Sequence, residues 1–352
     1  MASSPLPAGD QASTQYSRLL KLRWLLMAVF VAVILLSLVA DFMLGPSGLS
    51  WSELMRTLFS PDQAEPTTSV IVWDVRLPYA VMAVVVGLGL GLAGAEMQTI
   101  LANPLASPFT LGISSAAAFG ASLALVLDLS LPWLPADWAV AGNAFVFAIL
   151  SALLLDVLAR WGGMSGSGMV LVGIALVFTF NALVSLMQFI ASAEDLQNLV
   201  FWTMGSLSRA TWPKVGGMLL AFAVILPLCL KDAWKLTALR LGEDRAISFG
   251  IDVKRQRLVS LLRISFLAAL AVSMVGTISF IGLIAPHIAR RLFGEDHRFY
   301  LPGSALIGAM ILSLASIASK NIVEGVIVPV GIVTSLVGVP FFVSVVMRRR
   351  VG

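Results

Sequence analysis

Few side chains in this sequence could perform nucleophilic, acid–base or metal chemistry. The 352 residues include two histidines, His287 and His297, and one cysteine, Cys229. A single cysteine excludes an internal disulfide framework and a cysteine-based zinc cluster, and two histidines do not make a histidine-rich metal site. We interpret His287, which follows Pro286 at a helix break, as structural. We therefore predict no bound metal and no cofactor.

Two catalytic motifs that could have defined an enzyme are absent. The sequence contains no H-E-x-x-H zinc-protease motif and no G-x-x-x-x-G-K-[ST] loop for the phosphates of ATP. An ATP-driven activity would therefore need a separate hydrolysing subunit. We predict that the chain is not itself an enzyme.

Polar side chains form one stripe inside an otherwise apolar run. Asn181, Ser185 and Gln188 are spaced four and three positions apart, so they share one face of a helix. Polar groups within a membrane helix face protein or water rather than lipid. Their hydrogen bonds could go to a passing solute or to a neighbouring helix, and the residues leave both open.

Carboxylates are few and lie close to the ends of the apolar runs. Glu96 could cap a neighbouring turn or face water at the inner side, with a proton relay as the alternative. An ion-gradient transporter normally places acids deep in its spans. Asp41, Asp128, Asp156 and Glu324 fall near predicted span ends instead, which argues against that class.

The elements that must position these residues are membrane-spanning helices. The chain is 59% hydrophobic and 12% charged, whereas soluble domains have roughly 45–50% apolar and about 25% charged residues. About 20 apolar residues cross the hydrocarbon core as a helix. Ten segments qualify: 24–44, 77–99, 107–128, 138–158, 167–191, 213–230, 257–278, 280–293, 301–319 and 325–347.

The positions of the basic residues orient these ten spans. With the N-terminus in the cytoplasm, 18 of the 23 lysines and arginines fall inside and five fall outside. Cytoplasmic loops carry the excess of basic residues in membrane proteins. Removing the short span 280–293 would place the Arg348–Arg350 cluster outside. We therefore expect ten spans with both termini in the cytoplasm.

Residues 1–20 are predicted to be a disordered cytoplasmic N-terminus. The uncharged run that follows is longer than the apolar core of a signal peptide, so we interpret it as a retained first helix. Residues 21–350 are predicted to form a single transmembrane domain.

Three loops are longer than a bundle needs. On the outer side these are 45–76 and 192–212, and within the second, residues 194–202 could form a short surface helix. On the inner side, residues 231–256 are rich in charge and contain Gly242 and Gly250. A long inner loop of this kind calls for a function.

Several short segments follow one another in a characteristic order and spacing. They are Arg76-Leu77-Pro78, Asn103-Pro104-Leu105-Ala106-Ser107-Pro108, Phe201-Trp202-Thr203-Met204-Gly205, Leu241-Gly242, Gly276-Thr277-Ile278-Ser279-Phe280 with Ala285-Pro286-His287, Pro329-Val330-Gly331, and Gly338-Val339-Pro340. Together these segments resemble the FecCD-type permeases, which are membrane subunits of bacterial importers for ferric siderophores, haem and cobalamin. The resemblance covers about residues 20–350.

The resemblance implies an all-α, polytopic fold like that of the cobalamin importer permease, with about ten transmembrane helices. It also implies a bacterial inner-membrane location and a set of partners. These are a second permease subunit, identical or different, two cytoplasmic ATP-binding-cassette ATPase subunits, a periplasmic substrate-binding protein and the bilayer. No nucleic acid is expected.

The resemblance also implies roles for particular residues. Arg76 and Lys320 match basic positions that dock the binding protein, although Tyr79 replaces a further basic residue of the cobalamin permease. The pathway would be lined by Asn181, Ser185 and Gln188 and, on the last helix, Thr334. The gate corresponds to Ser165, Gly166 and Ser167. ATPase coupling is implied for Leu241, Gly242, Glu243, Asp244, Arg245, Ala246 and Gly250.

The expected function is that of the permease subunit of an ATP-binding-cassette importer, with a ferric siderophore as substrate. A cobalamin or haem importer is the alternative, and an ion-gradient-driven transporter is a second one. The outer loops and the stripe contain no aromatic or charged pattern that identifies a single ligand.

Overall fold

The computed structural model describes residues 8–45, 48–132, 134–164 and 166–348. In these ranges the chain is helical, and its one bridge of the β type joins Val323 to Val326. The α-helices are α1 (Ala8–Met43), α2 (Trp51–Phe59), α3 (Pro66–Val70), α4 (Leu77–Ile100), α5 (Ile113–Val126), α6 (Ala139–Trp161), α7 (Gly166–Ile190), α8 (Ala193–Thr203), α9 (Trp212–Lys231), α10 (Ala233–Leu239), α11 (Glu243–Ser248), α12 (Val253–Val275), α13 (Ile281–Phe293), α14 (His297–Asn321) and α15 (Val330–Arg348).

The ten predicted spans each contain a helix, which confirms the all-α, polytopic fold. Within the described residues, seven continuous helical segments are long and apolar enough to cross a bilayer, and α5 and α15 contribute shorter apolar helices. Helix α13 covers the short predicted span almost residue for residue. With 14 and 13 residues, α5 and α13 extend only about 20 Å each, less than the roughly 30 Å hydrocarbon core.

The boundaries of three predicted elements differ from the structure. Helix α1 begins at Ala8, inside the segment predicted to be disordered, and residues 1–7 lie outside the described part of the chain. Helix α5 begins at Ile113 rather than 107, because Gly112 adopts a left-handed φ of 83° that ends the helical path. Helix α15 begins at Val330 rather than 325, after a turn with Gly325 at φ 75°.

The long segment 45–76, which the sequence predicts to lie on the outer side, is largely helical. It contains α2, α3 and a π-helical turn, Ile71–Arg76, that continues directly into α4. Phe42, Leu54 and Val72 form a small core of their own under this cap. The predicted surface helix also forms, as α8, and Ser192 caps it by accepting a hydrogen bond from the Asp195 amide.

Helix α4 is the central element and contacts α9, α12, α13 and α14. Its glycines permit a close approach to α14. A Cβ added at Gly87 would lie 2.5 Å from the Gly308 carbonyl oxygen, and one at Gly91 would lie 2.3 Å from that of Ser304. Small residues let helix backbones approach in lipid, where the hydrophobic effect gives no drive for association. The glycine row therefore packs helices within one subunit.

Candidate functional site

The segment expected to contact an ATPase folds as two short helices, α10 and α11. Gly242 joins them with a φ of 109°, and Gly250 follows α11 with a φ of 78°. Glycine is favoured at such angles because it has no Cβ. A Cβ at either position would meet nothing within 4 Å. The backbone conformation, rather than crowding, therefore calls for glycine at both turns.

This segment exposes large apolar side chains. Trp234, Leu241, Ile247 and Phe249 are each more than half exposed, and the Trp234 and Phe249 rings lie 6.1 Å apart. Ala246, in contrast, is fully buried and packs α11 against α10 and the start of α12. An exposed apolar patch is typical of a protein–protein contact surface.

The three charged residues nominated in this segment differ in their contacts. Glu243 accepts a hydrogen bond from Arg257 of α12, so it holds α11 against the bundle. Asp244 and Arg245 are exposed and are accessible to a partner. Glu243 thus acts within the chain, whereas its two neighbours face outward.

Asp232, immediately before α10, is held in its ionised form. Burial acts to raise the pKa of its carboxyl, but hydrogen bonds from Lys235 and Arg263 outweigh burial and lower the pKa below its usual value. The Arg263 Nη1 to Asp232 Oδ2 distance is 2.8 Å. The start of the predicted coupling segment, which comprises Asp232, α10 and α11, is therefore attached to α12 by an ion pair.

Glu96 is neither a turn cap nor a water-facing group, in contrast to the expectation from the sequence. It is 0% exposed and is paired with Arg263, which is 9% exposed. Cys229 Sγ donates to Glu96 Oε2 over 3.0 Å, and Ser260 also donates to this carboxylate. Glu96 and Arg263 both lie within predicted spans, and that coincidence is the sequence signal for a buried pair.

The predicted gate lies beside the coupling segment. Ser165 falls outside the described residues, Gly166 begins α7, and Ser167 is exposed. A Cβ at Gly166 would lie 2.5 Å from the Leu101 carbonyl oxygen, just beyond α4. A cavity of about 710 Å³ separates the loop at Gly163 and Met164 from Glu243 and Ile247 of α11.

Three of the four predicted pathway residues share one cavity. Asn181, Ser185 and Gln188 of α7 line a space of about 280 Å³. The structure adds four hydroxyl groups and one ring that the sequence pattern did not indicate. These further lining residues are Ser114, Ser115, Thr203, Thr277 and Phe109.

The lining of this cavity is uncharged: its polar groups are hydroxyls and amides. Thr334 is not among the lining residues. Its side chain is buried in α15 and donates to the Gly331 carbonyl within the same helix, a role internal to that element.

Lys320 is not presented to a docking partner. Its side chain is 3% exposed, and its Nζ lies 3.1 Å from Asp41 Oδ1, where Asp41 is itself 0% exposed. The ammonium also donates to the Asp41 carbonyl oxygen over 2.8 Å and lies 4.3 Å from the centre of the Tyr79 ring. A residue that docks a partner must reach the surface, so the structure does not support this prediction.

Arg76 is also turned inward. Its Nη1 donates to the carbonyl oxygens of Phe42 and Met43, at 3.2 and 3.0 Å. These carbonyls belong to the last turn of α1, where carbonyl oxygens have no N–H partner within the helix. Arg76 is buried and closes the end of that helix, so the docking prediction lacks structural support here too.

The fold and these sites define a multi-pass membrane protein with an exposed apolar patch on α10, α11 and the turns beside them. Relatives are consistent with this class. The chain is 38% identical to the hemin transport system permease HmuU of Yersinia pestis over 79% of its length and 84% of that protein. It is 33% identical to the iron-uptake system permease FeuC of Bacillus subtilis over 92% and 98% of the two chains.

A solved structure has the same fold. An inward-facing metal-chelate type ABC transporter matches with a TM-score of 0.80 and 29% identity, covering 92% of this chain and 99% of that one. The FecCD transport family matches residues 29–348. The chain belongs to the FecCD transport family and is an ABC importer permease.

Proposed function

We propose that this permease carries ferric siderophores inward across the bacterial inner membrane. The relatives named for iron and hemin uptake support an iron-containing cargo. The uncharged α5–α7 cavity supports a chelate that presents hydroxyl and amide groups. A haem would place its carboxylates against a lining with no cationic side chain.

The single observation that carries the proposal is the exposed apolar patch on the predicted coupling segment. Such a patch is typical of a protein contact surface, and the chain has no ATP-binding loop of its own. We infer that two cytoplasmic ATPase subunits bind there, one beneath each of two permease subunits. Both termini then lie in the cytoplasm, and a periplasmic binding protein delivers the substrate from the other side.

Transport then proceeds by alternating access. ATP binding closes the ATPase pair and displaces α10 and α11. The cavity between α11 and the Gly163–Met164 loop gives α11 room to move toward the predicted gate. Substrate passes between the two permease subunits along the face that carries Asn181, Ser185 and Gln188. The chain itself forms and breaks no covalent bond.

Co-purification tests the proposal. The chain isolated from native membranes should bring an ATP-hydrolysing subunit with it, and Gly242→Trp should abolish that recovery, because a large side chain cannot adopt the φ of 109° without strain. Gly216→Trp is the matched control, since an added Cβ there also meets open space. A chain that purifies alone and transports without ATP would be a secondary transporter.

The substrate is tested separately. Cells that depend on this permease would be supplied with radioactive iron as a ferric hydroxamate, with haemin, or with cobalamin. Uptake of the hydroxamate alone supports the siderophore assignment. Uptake of haemin or cobalamin instead would show that the substrate assignment is wrong and would leave the importer function unaffected. The relative named for hemin transport makes haem the second candidate.

A further inference from the structure

The inner end of α4 is attached to the coupling segment at three successive points. Its last residues present the Glu96 carboxylate, the Thr99 hydroxyl and the Ile100 carbonyl oxygen. Each of these groups bonds to a side chain that also bonds to the coupling segment. The three intermediate side chains come from two other helices, α12 and α14.

The first attachment runs through Arg263 of α12. Its Nη1 donates to Asp232 Oδ2 over 2.8 Å, at the start of α10, and its Nη2 donates to the Glu96 carboxylate. The same Nη1 donates to the Leu228 carbonyl oxygen, near the end of α9, over 2.9 Å. One buried guanidinium therefore connects α4, α9 and the coupling segment.

The second attachment runs through His297, the first residue of α14. Its ring is fully buried, with Nε2 2.8 Å from Thr99 Oγ1 and Nδ1 3.1 Å from Thr237 Oγ1. The two nitrogens thus bond to hydroxyls on opposite sides of the ring. A neutral ring donates from one nitrogen and accepts at the other, so one of the two threonines turns its hydroxyl hydrogen toward the ring and away from the carbonyl oxygen of its own helix. Thr237 lies within α10.

The third attachment runs through Arg257 of α12. Its Nε donates to the Ile100 carbonyl oxygen over 3.1 Å, and its Nη2 donates to Glu243, the first residue of α11. The attachments therefore reach the start of α10, its interior and the start of α11. On α4 they occupy little more than one turn.

We propose that the last turn of α4 is the point at which movement of the coupling segment enters the membrane bundle. Arg263, His297 and Arg257 are positioning residues that make α10, α11 and this turn move together. Because α4 contacts α9, α12, α13 and α14, displacement of its inner end reaches most of the bundle. The inference rests on the proposed function, since it requires an ATPase beneath the segment.

The test uses the complex of this chain with the ATPase subunit that co-purifies with it. Spin labels on Ser248→Cys and Ala102→Cys, both exposed positions, report the distance between α11 and the residue just beyond α4. A second pair, Ser248→Cys and Ala193→Cys, reports α11 against the outer helix α8. The native Cys229 is buried and does not compete for label. Labelled chains are diluted with unlabelled ones, and the probe is ATP with orthovanadate.

The proposal predicts that ATP–vanadate changes the Ser248–Ala193 distance and leaves the Ser248–Ala102 distance unchanged. In Arg257→Ala, ATP–vanadate should shift the Ser248–Ala102 distance as well, because α11 has lost its attachment. The pair Glu96→Gln with Arg263→Gln should do the same while removing both buried charges together. Arg255→Ala, an exposed arginine on the same helix, is the matched control and should behave as the unsubstituted chain.

Each contrary result is informative. A Ser248–Ala102 distance that changes in the unsubstituted complex would overturn the proposal, as would variants that match the Arg255→Ala control. A chain in which neither distance responds moves as one body, which also overturns it. Failure to recover any ATPase subunit would instead reject the proposed function, and that result precedes the labelling.

Discussion

Two buried ion pairs lie at opposite ends of α4, and they are built differently. At the N-terminal end of α4, which we propose faces outward, Lys320 and Asp41 join α14 to α1, and their remaining partners are Tyr79 and Ser316. At the inner end, Arg263 joins Glu96 to Asp232, and Asp232 belongs to the coupling segment. Both members of the outer pair are buried within the bundle. In the inner pair, Arg263 also contacts Asp232, which lies next to the surface helix α10.

This difference separates a fixed connection from a transmitting one. Charges buried on both sides, as in Lys320–Asp41, hold two helices in one arrangement. A charge shared between a buried carboxylate and one next to a surface helix, as in Arg263, couples the position of that helix to the core. We therefore expect the outer pair to govern stability alone and the inner one to govern stability and ATP coupling together.

Loss of the inner arginine should have the largest effect. Arg263→Ala leaves Glu96 buried without its partner, and breaking a buried pair on one side costs about 3–5 kcal/mol. Thermal unfolding of the purified complex in detergent measures this loss, with Arg255→Ala as the control. An unfolding temperature equal to that of the control would contradict the assignment of Glu96 and Arg263 as a buried ion pair.

Loss of the outer lysine should destabilise the chain by about 3 kcal/mol for the same reason, but without uncoupling it. Lys320→Met leaves Asp41 unpaired, and the further change Asp41→Asn should restore much of the unfolding temperature. In both variants the ATP hydrolysis rate per folded complex should equal that of the unsubstituted chain. A reduced rate per folded complex would make the outer pair part of the transmission as well.

A smaller effect is expected where strain is confined to the coupling segment. Gly242→Ala places a Cβ at φ 109° and ψ 153°, a backbone conformation that is essentially restricted to glycine and costs about 1–3 kcal/mol for another residue, while the space around it is open. The cost should appear as weaker retention of the ATPase subunit, with the unfolding temperature of the membrane bundle unchanged. Gly216→Ala, within α9, is the control. Equal retention by both variants would contradict this assignment.

The smallest change in stability is expected at the uncharged cavity, whose lining includes no residue of either ion pair. Asn181→Ala and Gln188→Ala remove side chains that are not fully buried, and surface-type substitutions usually stay within about 0.5 kcal/mol. Uptake of a ferric hydroxamate should nevertheless fall, because the cavity loses hydrogen-bonding groups. Gln197→Ala, exposed on α8, should leave uptake unchanged, and an equal fall there would remove the cavity from the pathway.

The helices themselves were predictable because their signal is local. Composition, the lengths of the apolar runs and the positions of the basic residues indicated ten spans, and the short one at 280–293 was retained on the distribution of charge alone. The stripe of Asn181, Ser185 and Gln188 also follows from helical periodicity, since residues three and four apart share a face. The structure places all three on one cavity.

The assignments that depended on exposure were less predictable. The sequence around a basic residue at the end of a span does not show whether its side chain faces water or the protein interior. Arg76 and Lys320 were therefore expected at the surface, but both side chains are buried. Thr334 is a polar residue in an apolar span, as expected of a pathway residue. Its hydroxyl nevertheless donates to the Gly331 carbonyl oxygen of its own helix.

The sequence by itself determined that this protein is embedded in a lipid bilayer, that it is helical and that it belongs to the FecCD transport family. Each of these depends on neighbouring residues or on motifs in order along the chain. Only the tertiary structure decided which charges pair, because Glu96, Asp232 and Arg263 come from three separate segments and meet through helix packing. Which charged side chains form ion pairs depends on their proximity in the folded chain. Because these pairs are buried, removing one partner leaves an uncompensated charge and is strongly destabilising.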